Sequence, residues 1–169
     1  MRKGNLISPF FVDFCSIIPN RMTRKTRFTF EKAERLTHKI LIGKLFSEGN
    51  GFTCYPFRVV WKAAELHSDY PAQVAITVSK RNFKHAVKRN LLKRRIREIY
   101  RLNKHKLYEE LEKKNVQLAF MIVYLPKKIL ESKEMEEQLK RAIERIPREY
   151  EKHSKPTETG GSVHHDSAN

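Results

Sequence analysis

The sequence predicts an α+β domain. Three short segments alternate or are apolar throughout, as strands do, and three longer segments carry apolar residues at helical spacing. At 169 residues the chain is long enough for one modest core with tails. Residues 79–106 hold twelve Lys and Arg against one acid, Glu98, so this stretch supplies +11 of a net charge of +16. Clustered positive charge points first to nucleic acid and second to an anionic surface.

The opening, "MRKGNLISPFFVDFCSIIPNRM", loosely mimics a secretory signal, but Pro9 and Asp13 interrupt its apolar run and no small-x-small site follows. Met22 begins "MTRKTRFTFEKAERL", an ordinary basic start. Residues 1–22 therefore read as an N-terminal extension, with the natural chain expected to begin at Met22 and residues 1–21 to be a start-site artefact, ahead of a domain at 23–150 and a tail at 151–169.

Residues 31–48 read as the first helix, with Leu36, Ile40, Leu41, Leu45 and Phe46 on one broad face. Thr37 is a candidate cap for a shorter helix, and Gly49 and Gly51 stop it. In "YPFRVVWKA", 55–63, Phe57, Val59 and Trp61 alternate with Arg58, Val60 and Lys62, which predicts a strand with one buried face. "QVAITVSK", 73–80, is a second strand with Val74, Ile76 and Val78 on one side. The short connection predicts that these two strands are antiparallel neighbours.

The basic segment predicts a helix over about 84–104, with Asn82 as its N-cap. "KHKLYEELEKKN" is expected to continue as a short second helix to a turn at Asn115. "VQLAFMIVY", 116–124, is the most apolar strand and is predicted to be central, with Pro126 ending it. A last helix spans 132–150. Ser132 caps it, Met135, Leu139, Ala142, Ile143 and Ile146 form its stripe, and Pro147 ends or kinks it. The tail beyond has almost no apolar residues and is expected to be disordered; His164 and His165 there make a weak metal-ligand set.

Cys15 and Cys54 form neither a metal-ligand spacing nor a disulfide framework, and a reduced cytosolic setting is the default. No stretch approaches the roughly 20 apolar residues that span a bilayer. The chain carries no Gly-rich phosphate loop, HExxH or G-x-S-x-G motif. His38, His67, His85 and His105 are scattered, and read as surface or RNA-contacting residues rather than catalysts.

On a helical wheel of the basic segment, Leu92, Ile96, Ile99 and Tyr100 share one face. Asn90, Arg94, Arg97, Arg101 and Lys104 lie opposite, with Lys93 beside them. The apolar side fixes the helix to a sheet; the cationic side faces out. Guanidinium forks match phosphate oxygens, and residues three and four apart form a row that can follow a nucleic-acid backbone. Lys80, Arg81 and Lys84 extend this ridge past the helix N-terminus. Glu98 is expected to pair with Arg94, Arg95 or Arg101. Solvated faces usually mix signs, which this one does not. A membrane-surface or calmodulin-type helix needs a free apolar face, and a DNA-reading helix needs a second positioning helix before it.

The segment "QVAITVSKRNFKHAVKRNLLKRRIREIYRLNK", 73–104, resembles the signature of the bacterial ribonuclease P protein component. The matching residues are Lys80, Arg81, Ala86, Arg89, Asn90, Lys93, Arg94, Arg97 and Glu98. "RLTHKILIGKLFSEG", 35–49, is similar to that family's first helix, with Arg35–Leu36 and Leu45–Phe46. The resemblance covers about 35–146. Leu91 departs from the family's Arg-Asn-Arg motif, with Arg95 or Lys88 to compensate, and Ile42 stands where an aromatic is common.

The resemblance implies a sheet of about four strands with helices packed on it and a left-handed βαβ crossover, the ribosomal protein S5 domain 2-like fold. It implies a cytoplasmic subunit of a ribonucleoprotein endonuclease that removes the 5′ leader of precursor tRNA. Catalysis would lie in the RNA subunit, with no protein catalytic residues and no obligate protein partner. The RNA-binding set would be Lys80, Arg81, Lys84, Lys88, Arg89, Asn90, Lys93, Arg94, Arg97 and Arg101. Ile42, Phe46 and Val60 would line a leader cleft, although the spacing of Phe46 equally fits plain core packing. No cofactor is expected on the protein alone; Mg²⁺ would sit on the RNA. The alternative is a non-enzymatic RNA-binding protein of the ribosome or its assembly, which composition does not separate from the first reading.

Overall fold

The computed structural model describes residues 28–154. The 1–22 extension, Cys15, residues 155–169 and the tail histidines lie outside the described residues.

A single 3₁₀ turn, Lys32–Glu34, precedes α1 (Lys39–Glu48), β1 (Asn50–Cys54), β2 (Phe57–Ala63), β3 (Ala72–Val78), α2 (Ala86–Lys113), β4 (Leu118–Tyr124) and α3 (Ser132–Ser154). The strands form one mixed sheet in the order β1-β2-β4-β3. β1 and β4 are both antiparallel to β2, and β3 runs parallel to β4. The α+β prediction and the central place of β4 hold. The expected β2–β3 pairing does not, because β4 inserts between them. β4 is buried at six of its seven positions, so it needs cover on both faces and a neighbour on both edges. α2 makes the crossover that parallel pairing requires.

Most of the core lies on one face of the sheet. Phe57, Val59, Trp61, Val74, Val78, Phe120 and Ile122 meet Leu92, Ile96 and Tyr100 of α2 and Met135, Leu139, Ile143 and Ile146 of α3. Every member of the predicted α2 and α3 stripes is buried. On the other face, Leu36, Leu45, Leu66 and Ala119 form a smaller cluster under α1, joined by Leu41, Ile42 and Val60.

Four boundaries differ from the periodic reading. Residues 31–48 are not one helix. The Leu36 N–H donates to the Val74 carbonyl at 3.0 Å and Arg35 bridges to Val74, so this stretch runs extended beside β3. Helix α1 begins only at Lys39, after His38 rather than Thr37. Its stripe is narrower than expected, since Ile40 is 66% and Phe46 67% exposed. Gly49 and Gly51 do follow a helix stop, but residues 50–54 pair with β2 as a strand whose one large inward side chain, Phe52, is too little pattern to detect.

α2 is continuous to Lys113 rather than breaking near 104. The turn at Asn115 is real, with a φ of 50°. Asn82 does not cap α2; its side-chain amide donates to the Leu125 carbonyl at 2.7 Å and the N-cap position is His85. α3 runs through Pro147 to Ser154, so the expected tail boundary at 151 falls inside a helix. Packing of Trp61 against Tyr150 and His153 favours that last turn.

Candidate nucleic-acid interface

The site starts in the loop between β3 and α2. The Phe83 N–H donates to the Ser79 carbonyl at 3.1 Å, and the Arg81 N–H donates to Ser79 Oγ at 3.2 Å. Arg89 Nη1 reaches back from the first turn of α2 to the carbonyls of Phe83, at 2.8 Å, and Lys84, at 2.6 Å. With Phe83 buried beneath it, the loop is pinned at both ends. Lys80, Arg81 and Lys84 are exposed on this frame. Arg89 is half-buried and is both a cation and the staple of the loop.

Along α2 the cations divide into two groups. Lys88, Arg89, Lys93, Arg94, Arg95 and Arg97 make no ion pair among the described residues. From Arg101 onward each cation of the helix faces a carboxylate: Arg101 with Glu98, Lys104 with Glu34, Lys106 with Glu144 and Lys113 with Glu110. Arg101 grips Glu98 with two nitrogens, Nε at 2.9 Å, and donates to the Phe28 carbonyl. The guanidinium holds the Glu98 carboxyl below its usual range. The ridge of unpaired charge therefore ends at Arg97.

The expectation that Lys104 belongs to the outward ridge is corrected. Lys104 is 3% exposed, because residues 28–36 cross that face of α2. Its ammonium pairs with fully buried Glu34 and donates to the Thr29 carbonyl at 2.5 Å. A helical wheel cannot foresee cover supplied by a segment seventy residues away.

Asn90 is exposed beside Arg94, and Lys93 is half-buried. Leu91, the departure from the motif, is 41% exposed among these cations. Arg95 is half-buried and unpaired, in the unpaired half of the helix.

The three cleft candidates lie on the opposite face of the sheet. Ile42 and Val60 are half-buried and join the cluster under α1, and Phe46 projects from α1 into solvent. Beside Val60 a second row, Thr53, Arg58, Val123 and Thr77, continues the same face outside that cluster. Arg58 is exposed, and periodicity could show that it faces away from the core but not what lay next to it. Gly49 brings the end of α1 onto β2: a Cβ there would sit 2.8 Å from Val60 Cγ1 and would also meet the Leu45 carbonyl. Glu48 and Lys62 close that end with an ion pair.

No group of three or more His, Cys, Asp or Glu side chains suited to a metal ion occurs among the described residues, and no described helix is long and apolar enough to cross a membrane.

The family model described as Ribonuclease P matches residues 30–147. The ribonuclease P protein component of Porphyromonas gingivalis (strain ATCC 33277) is 40% identical over 104 residues, covering 60% of this chain and 76% of that protein. That of Petrotoga mobilis is 41% identical over 76 residues, 45% of this chain and 61% of the relative. Two solved structures share the fold. The Staphylococcus aureus RNase P protein superposes with a TM-score of 0.54 at 21% identity, covering 67% of this chain and 94% of its own. The RNase P protein from Thermotoga maritima gives 0.52 at 25% identity, covering 67% and 97%.

Proposed function

The chain belongs to the ribonuclease P protein family, and we propose that it holds the enzyme's catalytic RNA on the N-terminal half of α2 and the 5′ leader of precursor tRNA on the opposite face of the sheet. It is the protein subunit of ribonuclease P, an endoribonuclease of tRNA processing. The observation that carries the RNA assignment is the partition of α2: six cations from Lys88 to Arg97 have no carboxylate within 4.0 Å among the described residues, while those after them do. Unpaired like charges on one helix raise its energy unless an external anion compensates. Phosphates do so with a strong dependence on salt and little reading of sequence.

The leader assignment draws on Phe46. A ring that is 67% exposed on α1, the helix packed over this sheet face, is a stacking platform that accepts any base, as a variable leader requires. Arg58, in the adjoining row, offers a phosphate contact. Catalysis belongs to the RNA in this reading. Mg²⁺ ions bind there, aided by Arg and Lys that neutralise neighbouring phosphates, and the holoenzyme works in the cytoplasm without an obligate protein partner.

The test is cleavage of precursor tRNA at low Mg²⁺ by the cognate RNA alone, the protein alone and the two together. Efficient release of an intact leader by the mixture only is the expected result. RNA binding without stimulation of cutting would remove the proposal. Phe46→Ala is expected to weaken precursor binding and leave mature tRNA binding unchanged; equal loss for both would eliminate the leader cleft.

A further inference from the structure

The last unpaired cation of the ridge, Arg97, meets a cation from outside α2, Arg35, on one aromatic ring. Phe30 is half-buried, with its ring edge-on to Tyr100 at 5.8 Å and 87°. Two guanidiniums share this ring: Arg35 Cζ is 5.4 Å from the centroid and Arg97 Cζ is 6.0 Å. Neither arginine has a carboxylate partner among the described residues. Arg97 Nε is buried and has no hydrogen-bond acceptor there. Two like charges held on one ring repel, and a ring quadrupole only partly offsets this. A buried N–H with no acceptor adds to the imbalance. An anion bound by the outward N–H groups of these two guanidiniums offsets that repulsion.

The backbone around Arg35 is fixed before any ligand arrives. Gln73 Nε2 donates to the Ala33 carbonyl at 3.0 Å and Ser68 Oγ to the same oxygen at 3.2 Å. Glu34 is fully buried, pairs with Lys104 and accepts from Tyr108 Oη at 2.8 Å. The Leu36 N–H closes the other side on Val74. Residues 33, 34 and 36 are thus all tied down, and Arg35 alone in this stretch is exposed and charged with no carboxylate partner among the described residues. Preorganised donors bind an anion with little ordering cost.

We propose that Arg35 and Arg97 form, across Phe30, a seat for backbone phosphate of the RNA that α2 binds. The inference rests on the RNA reading of α2 and extends it: Arg97 is the last unpaired cation of that helix, and Arg35 carries the interface off α2 onto the segment beside β3. Continuity with the ridge favours a polymeric phosphate over a free one, and the planar fork suits phosphate oxygens.

The experiment is equilibrium binding of the full chain to its cognate catalytic RNA over a salt series, with Arg35→Gln, Arg97→Gln, Phe30→Leu and, for the ridge itself, Arg94→Gln. Arg35→Gln and Arg97→Gln are each expected to lower the slope of log K against log salt by about 0.7–0.9, with roughly 5–10-fold weaker binding near 0.1 M salt. Phe30→Leu keeps both charges, so the slope stays while affinity falls. Arg35 is exposed, so its variant decides the matter even if Arg97→Gln fails to fold. If Arg94→Gln lowers the slope and Arg35→Gln does not, the seat is wrong and the RNA reading of α2 survives. If neither changes it, both are wrong. Inorganic phosphate titrated into the protein alone, saturating below millimolar in the wild type and not in Arg35→Gln, would reassign the seat to a free phosphate and overturn the proposal.

Discussion

Replacing Glu34 tests whether residues 28–36 are part of the folded core or merely lie on it. Glu34 is fully buried and Lys104 is 3% exposed, so neither charge is solvated. The carboxylate accepts from Lys104, from Tyr108 Oη at 2.8 Å and from the Glu31 N–H at 2.6 Å. Glu34→Gln removes the counter-charge and strands the Lys104 ammonium. That ammonium retains the Thr29 carbonyl and the faces of Tyr108, at 5.3 Å, and Tyr70, at 5.8 Å. Breaking one side of a buried pair costs about 3–5 kcal/mol. The remaining partners place this case near the lower end, about 3 kcal/mol, or roughly 10 °C in Tm for a domain of this size. The double variant Glu34→Gln/Lys104→Met leaves no stranded charge and is expected to recover to within about 1–2 kcal/mol of wild type. Urea unfolding of both variants, followed by circular dichroism, gives the numbers. A loss under 1 kcal/mol for Glu34→Gln, or additive losses in the double variant, would refute the reasoning. A Lys104→Met variant of normal stability with a lowered RNA salt slope would return Lys104 to the outward ridge.

Leu91→Arg supplies the cation missing from the motif at a site 41% exposed. It is expected to steepen the RNA salt slope by about one contact while changing stability by no more than about 0.5 kcal/mol, read by filter binding and thermal melting. Gly49→Ala forces a Cβ against the Leu45 carbonyl and Val60, and is expected to cost about 1–3 kcal/mol in urea unfolding without changing the salt slope. His105 packs edge-on against Phe28 at 4.7 Å; burial first, and the Lys104 charge second, lower its pKa below 6.5. The unfolded chain therefore takes up the proton at higher pH than the folded one. Its contribution to stability is present above about pH 6.5 and is lost as pH falls through the folded value. His105→Phe keeps a ring there and is expected to flatten the urea midpoint between about pH 8 and pH 5 relative to wild type.

The buried stripes of α2 and α3 and the alternation of β2 were legible in the chain, because each is a local period set by one face meeting a core. So was the excess of cations from Lys80 to Arg97, which is a matter of composition. The same local rules failed wherever a distant segment supplied the surroundings. Periodicity carried residues 31–48 into one helix, but Glu34 is drawn into the core by Lys104 and Tyr108, and that holds Arg35 and Leu36 extended against β3. The wheel placed Lys104 outward with Arg97 and Arg101, and residues 28–36 then covered it. Connection length paired β2 with β3, yet the strand most in need of two neighbours, β4, took the place between them. Charge and period along the chain determine which side chains form a core and which form a cationic face, because those depend on near neighbours. Which cations remain unpaired, and that Arg35 joins Arg97 over Phe30, was decided only by tertiary structure, because an ion pair or a shared ring depends on what folds against it from far away in sequence.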